Sequence, residues 1–484
     1  MIYQVSKKID RNRIFIINRS EIEGRLDPKM TLYKKKVQHA LYPMVKLKSL
    51  LLSKPQYGAN EVGLIRNNNS QPRYIRITDI YENGLISKND LGATVTNVED
   101  KYVLNENDIV LARSGATVGK SYIHKQLPYT CLYAGYLIRF IVDAKKILPD
   151  YFFIYTQLNP YKEWVNAIQR PSAQPNINAE EYQSLEIPLP NLHKQKEIVE
   201  YLNAAYAQKL EKETESQILL KSINDYLLNE LGIVIPNVDT ALENRIFHFS
   251  YKNITGKRID PKKYSPQVRS LYASIEASTY HKTELSTLIS EYCSGDWGIE
   301  DDGNLHEDYI KCLTLRSTEI DNQYNIEINP DKVKYRLIKY DVYDKMSIAV
   351  NDIIIEKSGG SKDQPVGRVA IIDYDLLQRG NIAFSNFLLK IKVKDINPCY
   401  LYYYLKTMYN IGVTESMQSQ TNGIRNLITD EFLSQTIVVP SLQKQQEIVD
   451  NITNIKNKAK ALQQEGKDIL ESAKRNVERM IIGE

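Results

Sequence analysis

The feature that most constrains this chain is a motif that occurs twice. The stretch IPLPNLHKQKEIVEYL at residues 187–202 returns as IVVPSLQKQQEIVDNI at residues 437–452. Seven identical pairs lie 250 residues apart, namely Pro190/Pro440, Leu192/Leu442, Lys194/Lys444, Gln195/Gln445, Glu197/Glu447, Ile198/Ile448 and Val199/Val449. Agreement at so many matched positions predicts that the protein consists of two similar halves.

Shorter matches occur in the same order along both halves. They are RLDPK (25–29) and RIDPK (258–262), IRITDI (75–80) and LRSTEI (315–320), NDIVLARSG (107–115) and NDIIIEKSG (351–359), and PDYFFIY (149–155) and PCYLYYY (398–404). The spacing between partners grows from 233 to 250 residues, so we expect longer loops in the second copy.

Each half begins with short β-like runs such as DIVLAR and DIIIEK, broken by Gly, Asn, Asp and Pro. One stretch in each half, YFFIYTQLNPYKEWV and YLYYYLKTMYN, predicts a short packed helix, and a long segment without proline follows. A chain of 484 residues exceeds one core of ordinary size. We predict β-rich domains at 1–190 and 235–440, followed by helices at 191–234 and 441–484.

The two long segments carry apolar residues at heptad spacing. Ile448, Ile452, Ile455, Ala459 and Leu462 step by 4, 3, 4 and 3 residues, which is typical of coiled-coil helices. The first helix should end near Gly232. The residues that we expect to pair the helices are Ile198, Leu202, Leu220, Leu227, Ile448, Ile452, Ile455 and Leu462.

A helix of about forty residues is roughly 60 Å long and cannot hide an apolar stripe alone. We therefore predict an α+β fold of two β-rich domains, each followed by a long helix, with the two helices pairing as an antiparallel coiled coil. The alternative is that each helix packs on its own domain.

Composition limits the classes of protein to which the chain can belong. It is 42% hydrophobic and 25% charged, as in an ordinary globular protein. The N-terminus lacks the apolar core of a signal peptide, and no apolar run is long enough to span a membrane, so we expect a cytoplasmic protein.

The four cysteines and six histidines show no metal-ligand spacing. The 34 tyrosines have two alternative explanations, an AT-rich coding sequence or a functional use of the hydroxyls.

The stretch RSGATVGKS at residues 113–121 is close to a phosphate-binding loop but has one residue too few between its glycines. Its counterpart, EKSGGSKDQPVGRV at residues 356–369, has a wider gap and replaces Lys-Ser by Arg368-Val369. A nucleotide site would not tolerate that change in spacing. Both copies instead predict a hairpin whose tip carries a cation and exposed backbone N–H groups.

Several catalytic signatures are absent from the sequence. An adenine-N6 or cytosine-N4 methyltransferase needs a Pro-Pro loop, and none of the 18 prolines follows another. Pro149-Asp150 and Pro330-Asp331 lack the Asp/Glu-x-Lys of a metal-dependent nuclease, and G-x-S-x-G and H-E-x-x-H do not occur. The chain is therefore expected to bind a partner rather than to catalyse a reaction, and no metal site is predicted.

DNA binding is the function that the loops favour, because both halves carry Arg, Lys, Ser, Asn and Gln in loops beside predicted strands. The net charge of +4 permits such binding through local basic patches but does not require it. Arg reads guanine edges, and Gln and Asn read adenine edges. The candidate DNA-binding residues of the first half are Arg73, Arg76, Arg113, Ser114, Lys120, Arg170, Gln174 and Asn176. Those of the second half are Arg316, Lys357, Ser358, Lys362, Gln364, Arg368, Gln420, Asn422 and Arg425. For each residue the alternative is an ordinary surface position near a turn.

The doubled P-x-L-x-K-Q-x-E-I-V motif resembles the helix entry of specificity (S) subunits of type I restriction-modification systems. The order of domain, long helix, domain and long helix matches as well, and IRITDI, NDIVLARSGATVGK and NDIIIEKSGGSKDQPVGR look like strand motifs of their target recognition domains. The resemblance covers essentially the whole chain. One departure is Lys194-Gln195 and Lys444-Gln445, where the family usually has Glu-Gln.

The resemblance implies that each domain reads half of a bipartite double-stranded DNA site and that the helix pair fixes the gap. Half-sites about one helical turn apart, ~34 Å, would suit such an arrangement. It also implies two modification subunits that bind S-adenosylmethionine and methylate DNA, and restriction subunits that cleave it, with no cofactor in this chain. The competing interpretations are a stand-alone DNA-recognition protein, a structural adaptor and an enzyme with an unrecognised site.

Overall fold

The structure is a computed structural model, and it describes residues 16, 27–81, 83–87, 90–115, 117–169, 175–235, 237, 241, 246–248, 250, 263–304, 306–321, 326–330, 332–361, 364–421 and 424–483. The chain divides into two compact units. Unit 1 comprises residues 1–213 and 463–484, and unit 2 comprises residues 214–462. The long helices α5 (Leu192–Glu230) and α11 (Leu442–Ile482) each contribute to both units.

Unit 1 is a mixed α+β unit. Its shorter helices are α1 (Pro28–Val37), α2 (Pro149–Tyr155), α3 (Asn159–Ile168) and α4 (Ala179–Gln183). Its strands are β1 (Met44–Lys46), β2 (Gln56–Tyr57), β3 (Leu64–Ile65), β4 (Arg73–Ile75), β5 (Ala93–Thr94), β6 (Ile109–Ala112), β7 (Ser121–Ile123), β8 (Cys131–Tyr133), β9 (Leu137–Phe140) and β10 (Glu186–Pro188).

Three small sheets organise these strands. One has the order β2-β9-β6-β7 with antiparallel neighbours, and a second has the order β3-β5-β4-β8, in which β4 and β8 run parallel. The third pairs β1 with β10. Every residue of β6 is buried, which is why its sequence, IVLA, is continuously apolar rather than alternating.

The stretch YFFIYTQLNPYKEWV forms two helices rather than the single one that the sequence predicts. Pro160 stands in the first turn of α3, where its missing N–H costs no intrahelical hydrogen bond. One continuous helix would place Pro160 in its interior, where the proline removes a hydrogen bond to the carbonyl four residues earlier. Leu158 is instead extended, with φ of −91° and ψ of 160°, so the chain breaks between α2 and α3.

Unit 2 repeats this arrangement. Its shorter helices are α6 (Pro266–Glu276), α7 (Tyr340–Met346), α8 (Tyr374–Leu377), α9 (Pro398–Asn410) and α10 (Thr429–Leu433). Its strands are β11 (His281–Glu284), β12 (Ile289–Ser294), β13 (Ile299–Glu300), β14 (Tyr309–Leu315), β15 (Tyr335–Lys339), β16 (Ile353–Glu356), β17 (Ser358–Gly360), β18 (Val369–Ile371), β19 (Ile382–Phe384), β20 (Leu388–Val393), β21 (Gln418–Thr421), β22 (Ile424–Leu427) and β23 (Thr436–Val439).

The sheets of unit 2 match those of unit 1 strand for strand. Their orders are β12-β20-β16-β18, β13-β15-β14-β19 with β14 and β19 parallel, and β11-β23. An additional sheet has the order β17-β22-β21. The repeated sequence therefore encodes a repeated topology, which confirms the two similar halves.

In unit 1 the first part of α5 packs against the last part of α11. Asn476 Nδ2 donates to Tyr201 Oη at 2.9 Å, and Lys212 Nζ lies 3.2 Å from Glu465 Oε1. Partners that rise along one helix and fall along the other show that the helices are antiparallel. The apolar side chains beneath join the unit 1 core and include Ile198, Leu202, Ala205, Leu470, Ala473, Val477 and Ile481.

In unit 2 the last part of α5 packs antiparallel against the first part of α11. Asn451 Nδ2 donates to Tyr226 Oη at 2.7 Å, and the buried Ser216 Oγ donates to the Ala459 carbonyl at 2.9 Å. The apolar residues of this section are Ile223, Leu227, Leu228, Ile448, Val449 and Ile452, with Leu220 and Ile455 partly buried against them. Leu462 is also buried.

The helices thus pair with each other and pack on the domain of each unit, so both arrangements considered from the sequence occur together. The α+β fold with an antiparallel helix pair is confirmed. As expected, α5 ends close to Gly232, which has a φ of 64°. Among the helices that the structure describes, none combines the length and apolar character needed to span a membrane.

Candidate nucleic-acid interface

In unit 1 the RSGATVGKS stretch joins β6 to β7 as an antiparallel hairpin. Gly115 and Gly119 have φ values of 86° and 87°, a region that glycine adopts without steric cost. A Cβ at Gly119 would lie 2.8 Å from methyl groups of Val165 in α3. The glycines therefore serve turn geometry and close packing, as the hairpin interpretation predicts.

Buried tyrosine hydroxyls hold this hairpin in place. Tyr161 donates to the Gly119 carbonyl at 2.8 Å, and Tyr182 donates to the Ala112 carbonyl at 2.7 Å. Burial raises the pKa of both phenols well above the ordinary value, so both hydroxyls remain protonated donors. In unit 2 Tyr409 donates to the Pro365 carbonyl at 2.9 Å. These tyrosines thus have a structural use for their hydroxyls.

The tip of the unit 1 hairpin combines a cation with two polar side chains. The guanidinium carbon of Arg113 lies 4.8 Å from the ring centroid of the partly exposed Tyr57, within cation–π distance. Ser114 forms an antiparallel β-bridge with the exposed Asn176. The hairpin therefore meets the loop that precedes α4 and brings these side chains to one surface.

A 3₁₀ turn beside this hairpin presents Arg76. The carboxylate of Asp79 accepts the backbone N–H of Arg76 at 2.8 Å, its Nε at 3.1 Å and its Nη2 at 2.9 Å. Lys120 Nζ, from the end of the hairpin, donates to the Ile80 carbonyl at 2.8 Å and ties the two segments together. The Arg76 side chain remains 46% exposed, so the turn displays a fixed guanidinium.

The hairpin of unit 2 forms the same junction with different side chains. Ser358 lies opposite Asn426 in the β17–β22 pair, and its Oγ lies 2.6 Å from Asn426 Oδ1. Lys357, at the position of Arg113, donates to Ser294 Oγ at 2.9 Å. Gly359 has a φ of 106°, so the hairpin tip again depends on a left-handed glycine.

The turn beside the unit 2 hairpin presents Arg316. Glu319 accepts its backbone N–H at 2.7 Å and also binds its Nε and Nη2, while Nη2 donates to the Lys332 carbonyl at 3.0 Å. A Cβ at Gly359 would lie 3.7 Å from Ser317 Oγ. Turn and hairpin are therefore adjacent within unit 2.

The repeated geometry agrees with the comparison to known proteins. A family model described as "Type I restriction modification DNA specificity domain" matches residues 60–220 and 308–472, well over half of the chain. The chain belongs to this type I restriction-modification DNA specificity family. Members are DNA-recognition subunits, so the chain is a DNA-recognition subunit and not an enzyme.

Curated relatives include the type I restriction enzyme EcoKI specificity subunit of Escherichia coli (strain K12). It is 19% identical, with 79% of this chain and 74% of the relative covered. The StySPI specificity subunit of Salmonella potsdam is 24% identical over the same shares. A solved chain from work on complex assembly and conformational transition of the type I R-M system shows 14% identity and a TM-score of 0.45, with 90% of this chain and 95% of that chain covered.

Two predicted DNA contacts of this specificity subunit lie in the interior. Arg73 is fully buried and donates from Nη1 to the Ser87 carbonyl at 2.6 Å and to Tyr129 Oη at 3.2 Å. Arg368 is 7% exposed, and its Nε and Nη2 bind the Glu356 carboxylate at 2.9 and 2.8 Å. Because neither side chain has surface to offer to DNA, their contacts support a structural role instead.

Arg368 and Lys120 perform related structural tasks. Arg368 Nη2 donates to the Ser317 carbonyl at 2.8 Å, and its Nη1 donates to the Ile320 carbonyl. Lys120 makes the corresponding contact to Ile80 in unit 1. The cation of the shared Val-Gly-Lys/Arg segment therefore braces the turn that presents the exposed arginine.

The remaining predicted residues differ in their surroundings. Arg425 is an ion-pair partner of Glu415 at 3.2 Å, and Gln364 caps a turn through its backbone N–H, which donates to Ser361 Oγ at 3.1 Å. Gln420 contributes backbone pairing to β21, opposite Arg425. Arg170, Gln174, Lys362 and Asn422 lie outside the described residues, as does the Gln420 side chain.

Several residues that shape these surfaces were not predicted from the sequence. Asp79 and Glu319 follow an arginine by three residues in IRITDI and LRSTEI, so the signal was local and readable as a capping pattern. Tyr57, Ser294 and Asn426 carried no comparable local signal. Tyr57 and Ser294 reach their cations only because β2 and β12 occupy equivalent edges of their sheets.

Proposed function

We propose that each unit reads one half of a bipartite double-stranded DNA site. Reading surface 1 consists of Tyr57, Arg76, Arg113, Ser114 and Asn176. Reading surface 2 consists of Arg316, Lys357, Ser358, Arg425 and Asn426. Cationic, hydroxyl and amide side chains on loops held by a rigid scaffold supply both phosphate contacts and hydrogen bonds to base edges.

One observation carries this proposal: the same junction occurs in both units with different chemistry around it. Ser114 pairs with Asn176, and Ser358 pairs with Asn426. The neighbouring cation stacks on an aromatic ring in unit 1 and donates to a hydroxyl in unit 2. A shared scaffold with different side chains around it is the arrangement that would let the two units read two half-sites of different sequence.

Membership of this family implies three kinds of partner, namely DNA, the modification subunits and the restriction subunits of a type I system. We propose two modification subunits for each chain, because the repeat offers each of them an equivalent helix section. Lys196 and Glu200 illustrate the exposed charged face of α5, with side chains 71% and 67% exposed. The modification subunits would bind S-adenosylmethionine, and the assembly would act on DNA in the cytoplasm.

Methylation sequencing of a host that expresses the chain with its modification subunits tests the proposal. We expect one bipartite motif with a fixed unspecified gap, lost when the chain is omitted. Lys357→Ala should weaken or relax one half of the motif and leave the other half intact. Lys345→Ala is the matched control, because Lys345 lies on α7 with a side chain that is 78% exposed.

Two results would contradict the proposal. If omission of the chain leaves every methylated motif unchanged, the chain does not direct methylation. If Lys357→Ala and Lys345→Ala alter the motif equally, or if Lys357→Ala damages both halves to the same extent, reading surface 2 does not read one half-site.

A further inference from the structure

The two exposed arginines of the reading surfaces differ in how many donors they leave free. In Arg76, Nε and Nη2 bind the Asp79 carboxylate side by side. This contact uses one of the two hydrogens on Nη2 and none on Nη1. Within the described part of the chain no hydrogen bond from Nη1 is present, so the outer edge formed by Nη1 and Nη2 remains available.

Arg316 has the same carboxylate contact but a different outer edge. Its Nη2 also donates to the Lys332 carbonyl at 3.0 Å, which occupies the second hydrogen of that nitrogen. Its side chain is 24% exposed, against 46% for Arg76. Among the hydrogen bonds between described residues none uses Nη1 of Arg316, but one nitrogen cannot make the paired contact that recognises guanine.

We propose, building on the proposed function, that Arg76 reads a guanine in the half-site of unit 1 through its outer edge and that Asp79 positions it. The two nitrogens of that edge match the O6 and N7 acceptors of guanine in the major groove. Arg316 makes at most a single contact and specifies no guanine. The two units thus read their half-sites by different means despite their common topology.

The carboxylate partner favours a base over a phosphate as the target of Arg76. A phosphate contact draws its strength from charge, and the Asp79 carboxylate offsets much of the charge on this guanidinium. The hydrogen bonds to Asp79 fix the plane of the guanidinium, which reduces the entropy lost on binding. The Nη1 and Nη2 donors of Arg76 are therefore held in a fixed plane, which suits them to hydrogen bonding with the edge of a base. A cap on the 3₁₀ turn alone would need only the Asp79 carboxylate and the Arg76 backbone N–H.

Substitution of 7-deazaguanine into the DNA tests this assignment directly, because it removes the N7 acceptor and leaves base pairing intact. The chain assembled with its modification subunits is assayed for methylation of duplexes carrying this base at each guanine of the unit 1 half-site. We expect one position at which the wild type slows roughly 10- to 100-fold. The Arg76→Lys variant should be slow on ordinary DNA and insensitive to 7-deazaguanine at that position, because lysine cannot make the paired contact.

Asp79→Asn and Arg316→Lys complete the design. Asp79→Asn should reduce the sensitivity to 7-deazaguanine by loosening Arg76, a readout that a purely structural role would not change. For Arg316→Lys, the ratio of the methylation rate on 7-deazaguanine DNA to the rate on ordinary DNA should equal the wild-type ratio at every position. Recognition of the unit 2 half-site by the Arg76→Lys variant serves as an internal control for folding.

The outcomes separate the inference from the proposed function. If the wild type methylates a bipartite motif but Arg76→Lys keeps full sensitivity at every guanine, Arg76 does not read guanine, and the inference fails alone. If the half-site of unit 1 contains no guanine, the inference fails as well. If the wild-type assembly methylates no bipartite motif, the proposed function fails and the inference fails with it.

Discussion

The Gln195 side chain accepts the backbone N–H of Leu148 at 2.8 Å. Its Nε2 also donates to the Lys146 and Pro190 carbonyls at 3.1 and 2.9 Å, so the buried amide joins the entry of α5 to the start of α2. In unit 2 Gln445 repeats this link, accepting from Asn397 N–H at 2.8 Å and donating to the Pro440 carbonyl at 2.8 Å. The glutamine of the doubled motif thus fastens each long helix to the domain before it.

Gln195→Leu removes this link while keeping a similar volume. The Leu148 N–H and two carbonyls lose a partner, and a buried polar group without a partner costs about 1–3 kcal/mol. We expect the free energy of unfolding of unit 1 to fall by that amount in urea denaturation followed by circular dichroism. Gln208→Leu is the control, since Gln208 is an exposed residue of the same helix. Equal effects of the two substitutions would show that the buried amide makes no specific contribution.

Ile452→Ala tests the helix pairing in unit 2. Ile452 is fully buried within the core of that unit, and truncating such a residue typically costs about 2–5 kcal/mol. Ile218→Ala makes the same change at a position of α5 that is 63% exposed, where we expect less than about 0.5 kcal/mol. Thermal and urea denaturation of the whole chain measure both effects. A loss no larger for Ile452 than for Ile218 would be incompatible with the packing described.

The buried pair Glu356–Arg368 permits a test that unit 1 itself suggests. Ala112 and Lys120 stand at the corresponding positions of the unit 1 hairpin, with the same backbone hydrogen bond between them. Glu356→Ala leaves a buried guanidinium without its carboxylate, and such a change costs about 3–5 kcal/mol. Adding Arg368→Lys should recover part of the loss, because the more flexible ammonium can reach the Ile320 carbonyl as Lys120 reaches Ile80.

The measurement is a double-mutant cycle on the free energy of unfolding. We expect the Glu356→Ala/Arg368→Lys variant to be more stable than Glu356→Ala alone. Additive losses would mean that the two side chains do not interact energetically.

His124 should make unit 1 sensitive to acid. Burial lowers the pKa of His124 to about 4, and the Tyr122 hydroxyl lies 2.9 Å from its Nδ1. In the unfolded chain an ordinary histidine titrates near 6.5, so between these values the unfolded state binds the proton more readily. Stability is therefore retained at neutral pH and lost as the pH falls from about 6.5 toward 4.

We expect a loss on the order of 2 kcal/mol between pH 7 and pH 5 from this residue. His124→Gln should reduce the pH dependence of the free energy of unfolding in that range. His193→Gln is the control, because the His193 side chain is 85% exposed. If His124→Gln retains the wild-type pH dependence, another group is responsible for it.

Much of the fold could be predicted from the sequence, because the patterns that indicate its helices and turns lie within short stretches of the chain. The heptad spacing in α5 and α11 reports one helix face directly, and Gly232 marks the end of α5. The division of one expected helix into α2 and α3 was less obvious, although Pro160 is a local cause. The hairpin that resembles a phosphate loop was identified only because its repeat changes the spacing.

The reading surfaces were harder to predict, because the exposure of a side chain depends on residues far away in sequence. Arg73 is buried against Tyr129, 56 residues along the chain, and Arg368 reaches Ile320 across 48 residues. Arg76 and Arg316 look alike in sequence, with an acid three residues later. Within the described residues, the contact to the Lys332 carbonyl and the lower exposure of Arg316, 24% against 46%, distinguish its outer edge from that of Arg76.

The sequence by itself determined the duplication, the mixed α+β halves, the two long helices and the family, since each of these is written in periodicity or in repeated motifs. Only the tertiary structure decided which cations face solvent and which brace the scaffold. Burial and hydrogen bonding depend on strands and loops that are distant in sequence but adjacent in space, so no pattern within a short window of sequence predicts them.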